Sequence, residues 1–164
     1  MQLSTKGRYA VMALADLAKE GKGSVVPLAT ISERQNISLP YLEQLFSKMR
    51  RGGIVLSMRG PGGGYTLARA AEEIRISEIM MAVDEPVKMT RCSGEAETGC
   101  VGDHRCLTHD LWNALGEQIV AFLDGVSLGD VVDNARAKEA AKQVQASKHR
   151  KPRAAGNERA GVKR

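Results

Sequence analysis

The stretch Ser38-Leu39-Pro40-Tyr41-Leu42-Glu43-Gln44-Leu45-Phe46-Ser47-Lys48-Met49-Arg50-Arg51 is followed by Gly52-Gly53 and then Ile54-Val55-Leu56-Ser57-Met58-Arg59-Gly60-Pro61-Gly62-Gly63-Gly64-Tyr65. Its first part predicts a helix. Tyr41, Leu42, Leu45, Phe46 and Met49 recur at helical spacing behind Ser38, a suitable N-cap, and Pro40 falls in the first turn, where a missing N–H costs little. The second part predicts a β-hairpin, with strands at Ile54–Arg59 and Tyr65–Arg69 around a Gly-rich tip. Immediately upstream, Leu28 to Gln35 carries Leu28, Ala29 and Ile31 at helical spacing. Asn36 tolerates the left-handed backbone of a tight turn, and Ile37 is the apolar residue that plugs the corner.

Two amphipathic helices alone would be a plain helical hairpin. The β-hairpin directly after the second helix changes that reading to a winged helix-turn-helix. A phosphate-binding loop is excluded at the tip, because no Gly-Lys-Ser/Thr is present and no helix begins there. On the second helix, Ser38, Tyr41, Glu43 and Gln44 are candidates to meet base edges. Lys48, Arg50 and Arg51 are candidates for phosphates. Arg59, with Gly60 and Gly62 at the tip, suits a minor groove, where arginine senses width and potential.

The flanks complete a small domain. Residues 4–19 predict a mostly buried helix capped by Ser4 or Thr5, with Tyr9, Val11, Met12, Leu14 and Leu17 apolar and Lys6 and Arg8 at its start as candidates for phosphate contact. Residues 72–85 predict a short helix behind a Ser77 cap, carrying Ile74, Ile76, Ile79, Met80 and Val83.

All three cysteines lie in the next segment, Cys92, Cys100 and Cys106, with His109 close behind. The gaps of seven, five and two residues contain no Cys-x-x-Cys knuckle. Glycines and polar residues fill the first two gaps, so this part reads as a loop able to fold around one centre. Cys106 and His109 are three apart at the start of an apolar-periodic helix, which places them on one face. Three thiolates and an imidazole suit zinc or an iron–sulfur cluster and not calcium or magnesium. Spacing alone leaves zinc and iron–sulfur open. Three cysteines cannot all pair, and nothing marks the chain as secreted, so a disulfide framework is not expected.

From about Leu107 to Asp124 the spacing predicts the longest helix of the chain. Leu107, Leu111, Leu115, Ile119, Phe122 and Leu123 form one stripe, with Trp112 beside it. A lone helix beyond a complete small domain has little of its own to bury against, so a second copy is the expected partner. Leu111, Leu115, Ile119 and Phe122 are the candidate dimer contacts. Ser127–Val132 form a short capped segment, and the basic tail beyond is helical at first, then disordered past Pro152.

The fold class is therefore mainly α with a small β-hairpin wing: a winged helix-turn-helix domain plus a long dimerisation helix. The expected organisation is a DNA-binding domain at 1–85 and a ligand loop at 86–106. A dimerisation helix and C-terminal cap at 107–134 and a basic tail at 135–164 follow.

Charge supports this division. The net charge of +5 is strongly segregated, with ten Lys/Arg against four Asp/Glu in residues 1–69, four against thirteen in 70–135, and ten against two in 136–164. Only the first domain is expected to face a polyanion. Hydrophobic content of 43% supports a packed core, and six aromatics in 164 residues make that core mostly aliphatic. No apolar run is long enough for a membrane span or a signal peptide, which predicts a cytoplasmic protein without a membrane partner. No Ser-His-Asp set, paired carboxylates or nucleotide fingerprint indicates an enzyme.

These residues resemble the bacterial family of the iron–sulfur cluster regulator IscR over positions 1 to about 134. The resemblance rests on Leu3-Ser4-Thr5-Lys6-Gly7-Arg8-Tyr9-Ala10, on Val26-Pro27-Leu28-Ala29 with Ile31-Ser32-Glu33-Arg34-Gln35, and on Ile37-Ser38 with Tyr41-Leu42-Glu43-Gln44-Leu45-Phe46. The wing Arg59–Tyr65, Ala82-Val83-Asp84-Glu85, Thr90-Arg91-Cys92 and Cys106-Leu107-Thr108-His109 with Leu111-Trp112 complete it.

The resemblance implies a homodimeric winged-helix transcription factor, repressing and in some cases activating, with a [2Fe–2S] cluster. By match of position Cys92, Cys100, Cys106 and His109 are its ligands. It further implies double-stranded promoter DNA with two-fold symmetry as partner, control of iron–sulfur assembly genes, and the assembly machinery as cluster donor. Two departures stand out: the first cysteine gap is two residues longer than the family pattern, and Pro40 replaces a residue that can be serine. His104 is an alternative fourth ligand. Two other function classes remain: a winged-helix regulator with structural zinc or direct thiol sensing of oxidants or nitric oxide, and an iron–sulfur electron carrier whose winged domain binds no DNA. Metal content separates the first from the cluster reading, and salt-dependent DNA binding separates the second.

Overall fold

The computed structural model describes residues 4–20, 23–85 and 105–149, with side chains described as far as 142. The first helix, α1 (Thr5–Lys19), starts where the Ser4 side chain accepts from the Lys6 N–H at 3.2 Å. Its inward face is made by Gly7, Ala10, Ala13, Leu14, Asp16 and Leu17. Small residues let neighbouring helices approach closely, so Tyr9, Val11 and Met12, expected inside, are only half-buried at the margins.

Helix α2 spans Leu28–Gln35 and stops at Asn36, which takes the left-handed conformation at φ 51°. Ile37 is buried behind that turn. Asp16, buried on α1, accepts from the Gln35 side-chain amide at 3.0 Å. A polar group taken from water needs such a partner, and this one fixes α2 against α1.

Helix α3 (Leu39–Arg51) follows with Pro40 in its first turn. Ser38 holds the N-cap position, but its hydroxyl makes no capping bond, contrary to expectation. Its carbonyl instead accepts from the N–H groups of Tyr41 and Leu42, each at 3.1 Å. Leu42, Leu45, Phe46 and Met49 are buried on one face, as 3.6-residue periodicity requires.

The hairpin consists of β1 (Val55–Met58) and β2 (Gly64–Leu67), antiparallel, with Val55 opposite Leu67 and Met58 opposite Gly64. Both strands are shorter than the sequence indicates, and only Val55 of β1 is buried, so β1 does not alternate. Val26 adds a single bridge to Tyr65 with two backbone bonds of 2.9 Å. Gly64 makes this possible, because a Cβ there would run into the Val26 carbonyl. Across the hairpin tip, the Gly63 N–H bonds to the Gly60 carbonyl at 2.8 Å. Pro61 and Gly62, at φ 74°, occupy the turn positions that favour proline and a positive φ.

After a single 3-10 turn at Ala71–Glu73 comes α4 (Ile76–Ala82). Ser77 lies inside this helix and is not its cap. Arg75 holds the cap position, and its N–H donates to Glu78 Oε2 at 3.2 Å. The Ser77 hydroxyl instead donates to Asp124 on the next helix at 2.8 Å. Ile74, Ile76, Ile79, Met80 and Val83 close the core beneath α1 and α3, as expected.

Helix α5 runs His109–Gly125, so Leu107 lies before it and is fully exposed. The chain then returns to the core: the Ile76 N–H bonds to the Val126 carbonyl at 3.0 Å and the Leu128 N–H to the Ile74 carbonyl at 2.8 Å. Helix α6 (Leu128–His149) is longer than α5, which corrects the expectation that α5 is the longest. The segment expected to be short, Ser127–Val132, is its first turns. The Ser127 hydroxyl accepts from the Asp130 N–H at 3.0 Å, and the Ser127 N–H donates to the Asp130 carboxylate at 2.9 Å. Alanine, lysine and glutamine continue the helix with no apolar stripe to announce it. The chain divides into two units at Asp133, and the unit beyond is described only as the rest of α6. Among the described residues, no helix is long and apolar enough to cross a membrane.

Candidate nucleic-acid interface and cysteine segment

Because α3 buries Leu42, Leu45, Phe46 and Met49, helical geometry directs Pro40, Glu43, Gln44, Ser47 and Arg51 away from the core. Glu43, Gln44 and Arg51 are exposed, as are Ser38, at the N-cap, and Arg8 on α1. Tyr41 and Lys48 lie on one flank of this face. Tyr41 is half-buried and meets Tyr9 edge-on, with ring centroids 6.1 Å apart. The phenol ring is thus largely engaged in holding α3 to α1. Arg50 leaves on the other flank and reaches Ser57 on β1 at 3.4 Å. Arg59, Gly60 and Gly62 are exposed at the hairpin tip.

Lys6 and Lys48 are drawn together by the end of α4. Lys48 Nζ donates to Asp84 Oδ2 at 2.8 Å, and Lys6 Nζ donates to the Asp84 carbonyl at 3.3 Å. Glu85 adds an ion pair to Lys6 at 3.9 Å and accepts from the Ser4 N–H at 3.3 Å. The Lys48 hydrogen bond holds the Asp84 carboxyl below the usual carboxylate range, with its charge and those of Lys6 and Arg51 adding to the effect. In the sequence Asp84 and Glu85 stand at the end of the helix predicted over 72–85. Asp84 and Lys48 are far apart in the chain, so no local pattern could pair them.

Of the candidate ligands, Cys106 and His109 are described; Cys92, Cys100 and the alternative His104 lie outside the described residues. Cys106 does not sit on α5, as expected, but just before it. Thr108, at φ −102° and ψ 5°, is the N-cap, and α5 begins at His109. The two residues are nevertheless linked, the His109 N–H donating to the Cys106 carbonyl at 3.1 Å. His109 is buried and Cys106 half-exposed, its Sγ 3.6 Å from Thr108 Oγ1. Among the described residues no group of three or more His, Cys, Asp or Glu is placed to hold a metal ion.

Beyond His109, α5 turns an apolar stripe outward. Leu111 is 62% exposed, Leu115 40% and Phe122 69%, with Trp112 and Val120 also exposed. Ile119 is half-buried.

A helix-turn-helix followed by a glycine-tipped antiparallel hairpin, with cations gathered around the exposed helix, defines a winged helix-turn-helix DNA-binding regulator. The model of the Rrf2 family, described as an iron-dependent transcriptional regulator, matches residues 3–134, and the chain belongs to that family. It is 49% identical over 162 residues to the HTH-type transcriptional regulator IscR of Photorhabdus laumondii, covering 99% of this chain and 98% of that protein. The protein of the same description from Escherichia coli O1:K1 / APEC is 52% identical over 134 residues, 82% of each chain. Among solved structures, T. potens IscR superposes with a TM-score of 0.65 at 35% identity, covering 82% of this chain and 88% of that one. CymR, the global cysteine regulator of B. subtilis, gives 0.69 at 28% identity, covering 82% and 98%. These relatives are transcriptional regulators and not enzymes, and the resemblance drawn from the sequence motifs holds.

Proposed function

We propose that this regulator holds a [2Fe–2S] cluster through Cys92, Cys100, Cys106 and His109, and that cluster occupancy alters which promoters it binds, with iron–sulfur assembly genes as targets. The single observation that carries this reading is the junction at Cys106–His109. A thiol and an imidazole stand at the N-terminal end of a helix whose apolar stripe faces outward, so a change at these donors acts directly on that helix. The donor chemistry fits the group: three thiolates and one imidazole suit a [2Fe–2S] centre, and the family description independently points to iron. Bound there, the cluster supplies a redox-active, oxidant-sensitive centre whose imidazole ligand raises its potential relative to all-cysteine ligation.

The chain's own residues do the reading. Residues 1–85 form the DNA-binding head, 86–106 the ligand loop, and 107–134 the dimer helix and its cap. The tail at 135–164 is assigned no role. Two heads, paired through Leu111, Leu115, Ile119 and Phe122, meet the half-sites of a two-fold promoter in the cytoplasm, and the assembly machinery donates the cluster. Gln44 and Glu43 face base edges, Ser38 and Tyr41 border them, and Arg8, Lys6, Arg50 and Arg51 serve phosphates, while Lys48, the remaining phosphate candidate, is paired with Asp84. Arg59 follows the minor groove from the wing.

Protein purified without oxygen is expected to be red-brown, with about two irons and two acid-labile sulfides per chain. Colourless protein with one zinc would replace this reading with a structural site. Replacing Cys92, Cys100 and Cys106 together with alanine should abolish iron and change binding at some promoters; unchanged binding at every promoter would end the sensing idea. The two kinds of DNA contact also separate experimentally. Arg51→Ala should weaken binding to all sequences alike and flatten the plot of log affinity against log salt by about one. Gln44→Ala should relax preference at one base pair, a loss of about 1–3 kcal/mol in discrimination measured on a panel of single-site substitutions.

A further inference from the structure

Asp84 occupies a backbone position where glycine is the usual residue. Its N–H bonds to the Met81 carbonyl at 3.0 Å, and the Glu85 N–H bonds to the Met80 carbonyl, also at 3.0 Å. This pair of bonds is the Schellman ending of a helix, and Asp84, at φ 55°, is its left-handed residue. Glycine there would avoid the strain of a Cβ. The side chain that takes its place leaves its carboxylate 74% exposed while bonding Lys48 at 2.8 Å. Asp84 therefore contributes little to burial. An exposed ion pair contributes little to stability as well.

The position of this carboxylate gives it a different effect. It sits on the flank of α3, against the helix's own cation, with Lys6 held by the same residue's carbonyl. Sequence-independent attraction to DNA comes from cations that neutralise phosphates and release counterions. A carboxylate that already neutralises Lys48 removes one such cation and adds repulsion toward any phosphate approaching that flank. Discrimination gains from a repulsive element of this kind as much as from an attractive one.

We propose that Asp84 is a specificity-determining residue, which holds Lys48 back from phosphate and so suppresses binding to unrelated DNA. The carboxylate is ionised under physiological conditions, since its hydrogen bond from Lys48 favours the charged form.

Two variants test this in the full-length chain. Asp84→Asn removes the charge with a residue that tolerates the left-handed backbone, and Asp84→Gly also relieves the strain, so both should fold. Binding is measured across a salt series on a duplex of unrelated sequence and on a duplex selected by the wild-type protein from a random pool. On the unrelated duplex both variants should bind more tightly, by up to about eightfold near 0.1 M salt, with a salt slope steeper by about one. The ratio of selected to unrelated affinity should fall. Adding Lys48→Gln to Asp84→Asn should cancel the gain. Unchanged or weaker binding by Asp84→Asn, or a gain that survives loss of Lys48, would overturn the proposal. None of these outcomes depends on a cluster being bound, so failure of the cluster reading would be seen separately.

Discussion

Phe46→Ala is expected to lower the thermal midpoint of this protein by roughly 10 °C or more. Phe46 is fully buried on the inward face of α3, and its ring meets Tyr65 of β2 with centroids 4.9 Å apart at 66°. Removing a buried phenylalanine costs about 3–5 kcal/mol from lost transfer energy and the cavity left behind. The aromatic pair is worth a further share beyond its area. Domains of this size are stable by only about 5–15 kcal/mol, so the loss is a large fraction of the whole. The same contact fixes the helix relative to the wing, so the surviving folded fraction should also bind DNA poorly. Phe46→Leu, which keeps more of the volume, should cost much less. Equal midpoints for wild type and Phe46→Ala in a calorimetric scan would show that this contact does not hold the head together.

Replacing Leu111 and Leu115 together with aspartate should convert the proposed dimer to a monomer. These side chains are 62% and 40% exposed in the single chain, so charging them costs the monomer little. Across a two-fold contact the same carboxylates would be buried without partners, which association does not tolerate. Light scattering should report half the mass. Affinity for a promoter with two half-sites should fall by about a hundredfold or more, because the second head no longer binds intramolecularly. A dimer of unchanged mass and affinity would move the contact to another surface.

How far the sequence could be read depended on how local each signal was. Leu28–Gln35, the left-handed Asn36 and buried Ile37, and the glycine tip are all specified within a few residues, and each stands where periodicity and turn chemistry put it. The start of α4 was misread because Ser77 is a better intrinsic cap than Arg75; the choice was made by Glu78 bonding the Arg75 N–H and by Asp124 taking the Ser77 hydroxyl. The helical start of the tail is legible in its composition, but its continuity with Ser127–Val132 as one helix is not, because no apolar stripe joins the two. At the site, exposure of Gln44, Glu43 and Arg51 followed from helical spacing. The engagement of Tyr41 with Tyr9, and the capture of Lys48 by Asp84, did not, because the partners belong to other elements. Cys106 and His109 were correctly seen as neighbours, although only His109 belongs to the helix.

The backbone bonds that join Ile74 and Ile76 to Leu128 and Val126 have an evolutionary consequence. Everything between the end of α4 and Val126 is, in connectivity, an insertion whose far end is brought back to the start of α4. Lengthening such an insertion changes its closure entropy slowly, about 0.6 kcal/mol per doubling. A segment of another length at this point therefore need not disturb the head. Segments of different length and chemistry can be exchanged at this point while the DNA-reading half of the molecule stays as it is.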